Sequence, residues 1–222
     1  YLQARNVTVQ GVGSHFEVWR RVDNDYVHWL DVELGIPGQH NVLNALAAIG
    51  IASKVGVSEQ TIRSALADFR GVGRRFEQVG EFTGITIVDD YGHHPRELSA
   101  TISAARAVWP DRPLVVAFQP HRYSRTQTLF GDFVHSLAQA DLVILTDIYS
   151  AGEKALPGVS SQALSAAMRA QGISVHYLPE LLNAPAQIRA LLPANAVLLT
   201  MGAGSIARLA GQWAEVFAEA TP

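Results

Sequence analysis

Ile85-Thr86-Ile87-Val88-Asp89-Asp90-Tyr91-Gly92-His93-His94-Pro95 is the stretch that decides how this chain is read. Its first four residues form a β-branched run without a turn former, the pattern of a buried strand. Pro95 suits the first position of a helix, and Leu98, Thr101, Ile102, Ala105 and Val108 then recur at three- and four-residue spacing, which predicts a helix over 95–108 with one stripe against a sheet. Two carboxylates, a phenol and two imidazoles therefore fall where a strand hands over to a helix. In open α/β sheets, ligands bind in the crevice at the carboxyl ends of the strands. Asp90 and His94 as helix caps, with His93 a solvated loop residue, is the plainer account of any one of them. Five functional side chains in one turn favour a site.

Working outward, β and α patterns alternate from residue 79 on, which argues for a mostly parallel sheet covered by helices on both faces. Strands are expected at 85–88, 114–118, 142–146, 173–177 and 196–200, and helices at 95–108, 126–140, 160–171, 181–192 and 205–219. The region before this reads differently. Val7–Val9, His15–Trp19 and Tyr26–Leu34 are predicted strands of a hairpin-rich meander, with a turn at Asp23-Asn24-Asp25. These strands have no obvious sheet to join, and the chain opens Tyr1-Leu2-Gln3 without methionine, so a fragment of a longer protein is expected. Helical spacing begins at Asn41 (Val42, Ala45, Leu46, Ile49), and a second helix follows Ser58, a plausible N-cap. Gly71-Val72-Gly73-Arg74-Arg75-Phe76 forms a basic junction. The domain boundary is expected just beyond it, giving domains 1–78 and 79–222.

The second strand of the later region ends in Gln119-Pro120-His121-Arg122-Tyr123-Ser124-Arg125-Thr126. If the first two strands are neighbours, as sequential strands usually are, this cluster lies beside the 89–95 turn. Arg122 and Arg125 sit three apart around a strand-to-helix turn, and a guanidinium matches a carboxylate or phosphate bidentately. An anionic ligand is implied, with N–H groups at the following helix start adding to the attraction. Asn41 and Asn44 share a helical face and could read a base edge through their amides, although asparagine at a helix start is more often a cap. Arg74-Arg75 could meet phosphates or belong to a solvated linker.

Two further motifs carry less. Gly202-Ala203-Gly204-Ser205-Ile206-Ala207 has the look of a dinucleotide loop but lacks the following strand with its acidic residue, and reads as a tight turn lining the site. His93, His94, His121 and Asp90 are residue types that suit zinc. Adjacent histidines rarely point at one ion, however, so no metal ligand is assigned.

With 222 residues and 48% hydrophobic composition there is ample material for a core. Seventeen basic against twenty acidic residues, mixed along the chain, give a net charge of −3 and no footprint for nucleic acid or an anionic membrane. The absence of cysteine excludes a disulfide framework and fits a reducing compartment. No apolar run reaches the length needed to span a bilayer, and the start lacks a signal-peptide pattern. The expected location is the cytoplasm.

Gly38-Gln39-His40-Asn41-Val42-Leu43-Asn44-Ala45, Gly73-Arg74-Arg75-Phe76, Asp89–Pro95, Gln119–Thr126 and Met201-Gly202-Ala203-Gly204-Ser205-Ile206, in that order, resemble the Mur ligase family, in the form of its UDP-N-acetylmuramate:L-alanine ligases. Tyr91-Gly92 before the histidines matches these alanine-adding members better than their tripeptide-recycling relatives, which typically have Phe-Ala there. The resemblance covers essentially the whole chain. It implies that residues 1–78 are the tail of a central ATP-binding domain and 79–222 a Rossmann-like, amino-acid-binding C-terminal domain. The reaction implied is ATP-dependent: the carboxyl of UDP-N-acetylmuramate is phosphorylated, and L-alanine then displaces phosphate, a step in making peptidoglycan precursors. By the same resemblance Asn41 and Asn44 contact adenine, Arg75 lies near the ATP phosphates, and Asp90 meets the nucleotide. Tyr91, His93, His121, Arg122 and Arg125 surround the amino acid and the reacting centre. His93, Arg75 and Asp90 are the expected catalytic residues.

The chain contains no G-x-x-x-x-G-K-[ST] loop to cradle phosphates. The Mg2+ ligands and the UDP-binding part are therefore expected upstream, and the chain alone is expected to be inactive. A metal-dependent hydrolase built on the histidine loops, or a non-catalytic ligand-binding module, are the alternative readings.

Overall fold

The computed structural model describes residues 1–180, 185–209, 211–213 and 216. The chain divides into two compact units, residues 1–72 with 106–108, and residues 73–105 with 109–222.

In the first unit, strands β1 (Leu2–Gln10), β2 (Gly13–Val22) and β3 (Asp25–Leu34) form a three-stranded antiparallel sheet in that order. The expected meander is present, and its strands pair with one another rather than waiting for a sheet to join. Period-2 alternation sends Phe16, Val18, Leu30 and Val32 to one face, where Val42, Ala45 and Ile49 of helix α1 (Gln39–Lys54) and Ile62 of helix α2 (Glu59–Asp68) cover them. The Ser58 side chain accepts the Thr61 N–H, so the N-cap read from the sequence is formed.

The second unit is organised by a six-stranded sheet containing β4 (Glu77–Phe82), β5 (Ile85–Asp90), β6 (Leu114–Phe118), β7 (Leu142–Leu145), β8 (Val175–Tyr177) and β9 (Val197–Met201). Its order is β4-β5-β9-β6-β7-β8, with β4 antiparallel and the other five parallel. Every residue of β5, β6, β7 and β9 is buried, which requires cover on both faces and explains their unbroken apolar runs. One face carries Ile85, Ile87, Val115, Ala117, Ile144 and Leu198, packed with Ile188 of helix α7 (Pro185–Leu191) and with Ile206 and Leu209 of a 3-10 turn, Ser205–Leu209. On the other, Phe118 meets Phe133 of helix α5 (Phe130–Leu137). Helices α3 (Pro95–Val108), α4 (Tyr123–Thr128) and α6 (Ser161–Ala170) complete the unit.

Four expectations need correction. The strands carrying the two polar clusters are not neighbours, because β9, the last strand in sequence among the described residues, lies between β5 and β6. The helix expected over 126–140 starts at Tyr123 and breaks at Leu129 (φ −111°, ψ 23°), giving α4 and α5. Strand β4 was not anticipated; it is an edge strand with no fully buried residue, so it lacks the apolar run that marks a buried one. The expected helix 205–219 opens as a 3-10 turn. Its positions 210, 214, 215 and 217–219 lie outside the described residues, as do positions 181–184 of the helix expected over 181–192.

Candidate active site

Strand β5 runs two residues further than its apolar pattern shows, so Asp89 and Asp90 are strand residues with 1% and 4% exposure. Each carboxylate is fully engaged locally. Asp89 accepts from Thr200 Oγ1 at 2.8 Å and from Arg74 Nε at 2.9 Å. Asp90 accepts backbone N–H groups from Gly92 at 2.7 Å and Phe76 at 2.9 Å. A side chain at position 92 would collide with Asp90, since an added Cβ would stand 2.7 Å from its Oδ1. Asp90 therefore clamps the turn that carries Tyr91 and His93, and glycine is what lets the clamp close.

Helix α3 starts at Pro95 as the sequence indicated, but the cap is His94, not Asp90. His94 Nδ1 accepts the Arg96 N–H, while Glu97 reaches back to the N–H groups of His93 and His94 at 2.9 and 3.1 Å. Burial opposes the Glu97 charge, yet those two N–H bonds, with His93 and Arg75 nearby, leave its carboxyl below the ordinary glutamate range. The Nδ1 of His94 is thus committed to the cap.

His93 and His121 meet. Their ring centroids lie 5.6 Å apart in a chain of four rings, with Tyr91 edge-on to His93 at 5.4 Å and Tyr149 stacked on His121 at 5.5 Å. The guanidinium carbons of Arg74 and Arg75 stand 5.0 and 5.5 Å from the Tyr91 ring centre. The partners fix which nitrogens carry protons. His93 Nδ1 faces the Tyr91 carbonyl at 3.1 Å, and a carbonyl only accepts, so neutral His93 keeps its lone pair on Nε2. His121 Nδ1 faces Arg125 Nη1 at 3.3 Å, and a guanidinium only donates, so neutral His121 carries its proton on Nε2. Burial first, then Arg125, His93 and Arg122, push the His121 pKa below the ordinary histidine value, so the ring is neutral at pH 7.

The turn leaving β9 closes the middle of the rim. Gln119 is buried; its amide donates to Ser205 Oγ at 3.1 Å and its carbonyl accepts the Ile206 N–H at 3.0 Å. Gly202 adopts φ 146°, and a Cβ there would stand 2.9 Å from the Gln119 carbonyl oxygen. The expected tight turn is present at this glycine motif. Arg74 is held by Asp89 and by the Gly202 carbonyl at 2.6 Å, whereas Arg75 is exposed. The adjacent arginines thus divide into one that braces the rim and one that is exposed beside Tyr91.

Arg122 is exposed, and the nearest carboxylate is Glu153 at 3.9 Å. Arg125, one helical turn on, leans against His121. In the first unit, Asn41 donates its amide to the Pro37 carbonyl at 2.7 Å and Asn44 is exposed one turn later on α1. Among the described residues, no three His, Asp or Glu side chains converge in a way that could hold a metal ion. Sequence reasoning missed Glu97 and Glu153. A glutamate three residues past the helix start is a capping-box signal that could have found Glu97; Glu153 has no local signal, because its partners are 29 residues away.

A mostly parallel α/β sheet whose carboxyl-end turns gather histidines, arginines and a buried aspartate pair is the build of a Rossmann-like domain with a polar crevice at its strand ends. The chain belongs to the Mur ligase family: residues 74–204 match the family model "Mur ligase, glutamate ligase domain". It is 79% identical to the UDP-N-acetylmuramate–L-alanine ligase of Acidithiobacillus ferrooxidans (strain ATCC 53993 / BNL-5-31), over 98% of this chain and 47% of that protein. With the ligase of the same name from Bordetella avium (strain 197N) it shares 45% identity, over 96% of this chain and 48% of the relative. Among solved structures, the UDP-N-acetylmuramate–alanine ligase of Thermotoga maritima matches 99% of this chain with 46% of its own, at a TM-score of 0.81 and 27% identity. The chain spans about half the length of the curated relatives it matches.

Proposed function

We propose that this chain is the amino-acid-binding half of an ATP-dependent ligase that joins L-alanine to UDP-N-acetylmuramate during peptidoglycan precursor synthesis in the cytoplasm. The observation that carries the reading is the 79% identity to a protein of that name along 98% of the chain. In the proposed reaction the lactyl carboxylate takes the γ-phosphoryl group of ATP, giving an acyl phosphate and ADP. The alanine nitrogen then adds to the acyl carbon, the tetrahedral centre collapses with loss of phosphate, and the amide forms.

The geometry supports distinct roles for the residues. Arg122 and Arg125 receive the α-carboxylate of the amino acid. An amine attacks only when unprotonated, and the His93 Nε2 lone pair, in a ring oriented by the Tyr91 carbonyl, is the group suited to take the ammonium proton. His121, neutral and bearing its proton on Nε2, is a donor suited to the developing oxyanion. Tyr91 forms the wall between the arginine pair 74–75 and His93. Arg75, exposed and unbraced by Asp89, is assigned to the phosphates. Asp90 acts through the turn it clamps, and the family resemblance adds a part in meeting the nucleotide. Asn41 and Asn44 are assigned to the adenine by that resemblance; the Asn41 amide N–H bonded to Pro37 leaves its carbonyl as the group to offer. The family resemblance assigns Mg2+ mainly to ligands outside this chain. The ligase relatives do not favour the hydrolase alternative.

The full-length protein, given UDP-N-acetylmuramate, L-alanine and ATP, should release phosphate and ADP and form the alanyl product, detectable by mass spectrometry. The isolated chain, without a phosphate-cradling loop, should form none. Full-length protein that joins a different amino acid in preference to L-alanine would overturn the substrate assignment, and ligation by the isolated chain would overturn the division of labour.

A further inference from the structure

The segment leaving β7 holds down the segment leaving β6, at the end of the site that bears the arginines. The Arg122 N–H donates to the Tyr149 carbonyl and the Tyr149 N–H to the Pro120 carbonyl, both at 2.8 Å. Arg122 itself has φ 74°, in the left-handed region that side chains other than glycine rarely adopt. Such a conformation persists where its surroundings over-determine it, and it does so most often at functional sites. One further hold comes from Glu153. Its Oε1 accepts the Ser124 hydroxyl at 2.7 Å, its Oε2 accepts the Ser124 N–H at 3.0 Å, and Arg122 Nη1 stands 3.9 Å from Oε1. The Ser124 hydroxyl and N–H together keep the Glu153 carboxyl below the ordinary glutamate range, with Arg122 adding to the effect, so the group is charged throughout the neutral range.

A single carboxylate thus touches Ser124, two residues past Arg122, faces the Arg122 guanidinium, and lies at the start of the helical turn that leads to Arg125. We propose that Glu153 is a positioning residue for the carboxylate-receiving end of the site: it sets the direction of Arg122 and moderates the positive charge gathered around His121. The proposal rests on the reading of Arg122 and Arg125 as the receivers of an amino-acid carboxylate. It adds a residue that contacts no substrate and acts through them. The charged and titratable groups facing His121 are Arg125, His93, Arg122, Glu153 and the stacked Tyr149; of the four that act on its charge only Glu153 favours the protonated ring. Removing its charge therefore has a signature beyond any loss of shape.

The test uses Glu153→Gln, which keeps the volume, and the milder Ser124→Ala, which removes only one of the two Ser124 bonds. In the full-length protein, Glu153→Gln should raise KM for the amino acid about tenfold, the scale of one lost charge-assisted hydrogen bond, with kcat and the KM for UDP-N-acetylmuramate nearly unchanged. Ser124→Ala should move the same constant in the same direction by less. Independently of any turnover, the His121 ring, followed by NMR titration, should protonate at lower pH in Glu153→Gln than in the parent. An amino-acid KM that stays put or falls, as it would if Glu153 merely competed with substrate for Arg122, overturns the proposal. So does an unmoved or raised His121 titration. A parent protein that joins no amino acid defeats the reading of the site instead, and the NMR titration still decides whether Glu153 sets the charge at His121.

Discussion

The rings of His93 and His121 lie 5.6 Å apart although the strands that deliver them are separated by a third, β9. Adjacent strands are about 4.8 Å apart, so the two backbones leave the sheet nearly twice that distance from each other. The imidazoles close that gap beyond the strand ends. The turn after β9 packs closely against the segments on the His121 side: a Cβ at Gly204 would stand 2.5 Å from Gln119 Oε1 and 2.7 Å from the Tyr149 ring.

Arg125→Ala should raise the KM for L-alanine in the full-length protein by at least about tenfold, because a guanidinium–carboxylate contact that is lost weakens binding of that substrate alone. The KM for UDP-N-acetylmuramate should change little. Steady-state kinetics with each substrate varied in turn makes the comparison, and equal effects on both would remove Arg125 from the carboxylate clamp.

His121 links the site to stability. Its folded-state pKa is depressed, first by burial and then by its cationic neighbours, so near its ordinary pKa the unfolded chain binds more protons than the folded one. The sign follows: this contribution to stability is fully present above about pH 6.5, the ordinary histidine value, and declines as pH falls below it. Urea unfolding of the parent and His121→Gln at pH 5.5 and 7.5 should show a smaller loss on acidification in the variant. A parent and variant that respond identically to pH would exclude the effect.

Tyr177 donates its hydroxyl to Asp147. Burial, followed by the hydrogen bond to and the negative charge of Asp147, raises its pKa to about 12. A raised acid in the folded state stabilises below the ordinary tyrosine value and loses that contribution as pH climbs toward 12. Spectrophotometric titration of the parent against Tyr177→Phe should show the missing phenol ionising only above about pH 11, later than an ordinary tyrosine. Ionisation of that phenol near pH 10 would mean that the Asp147 contact is not held in solution.

The parts of the fold and site that were legible in the sequence are those written in local pattern. Buried strands such as Leu114–Phe118 and the helix behind Pro95 have a periodicity of their own, and the polar turns after them stand out by composition. Partner choice was not legible. Nothing in Ile85–Val88 says that Val197–Met201 will lie against it, because that pairing is settled by packing across more than a hundred residues. The division between Arg74 and Arg75 was equally hidden: the two are identical in sequence terms, and only Arg74 meets Asp89 and the Gly202 carbonyl. The same holds for Glu153, whose partners Ser124 and Arg122 belong to another segment. No turn former marks the break at Leu129 itself, and one helix was the natural reading there.

The seat of β9 also has a bearing on how the molecule is made. A ribosome releases β5 and β6 long before Val197–Met201, so through most of synthesis the two strands that flank the centre of the sheet have a gap where their common neighbour belongs. Contacts of such high sequence separation form slowly, and unpaired strand edges are prone to wrong partners in the meantime. The nascent chain is thus most exposed to aggregation just before β9 emerges, and the rim of the candidate site, which needs that strand's turn, cannot take shape any earlier.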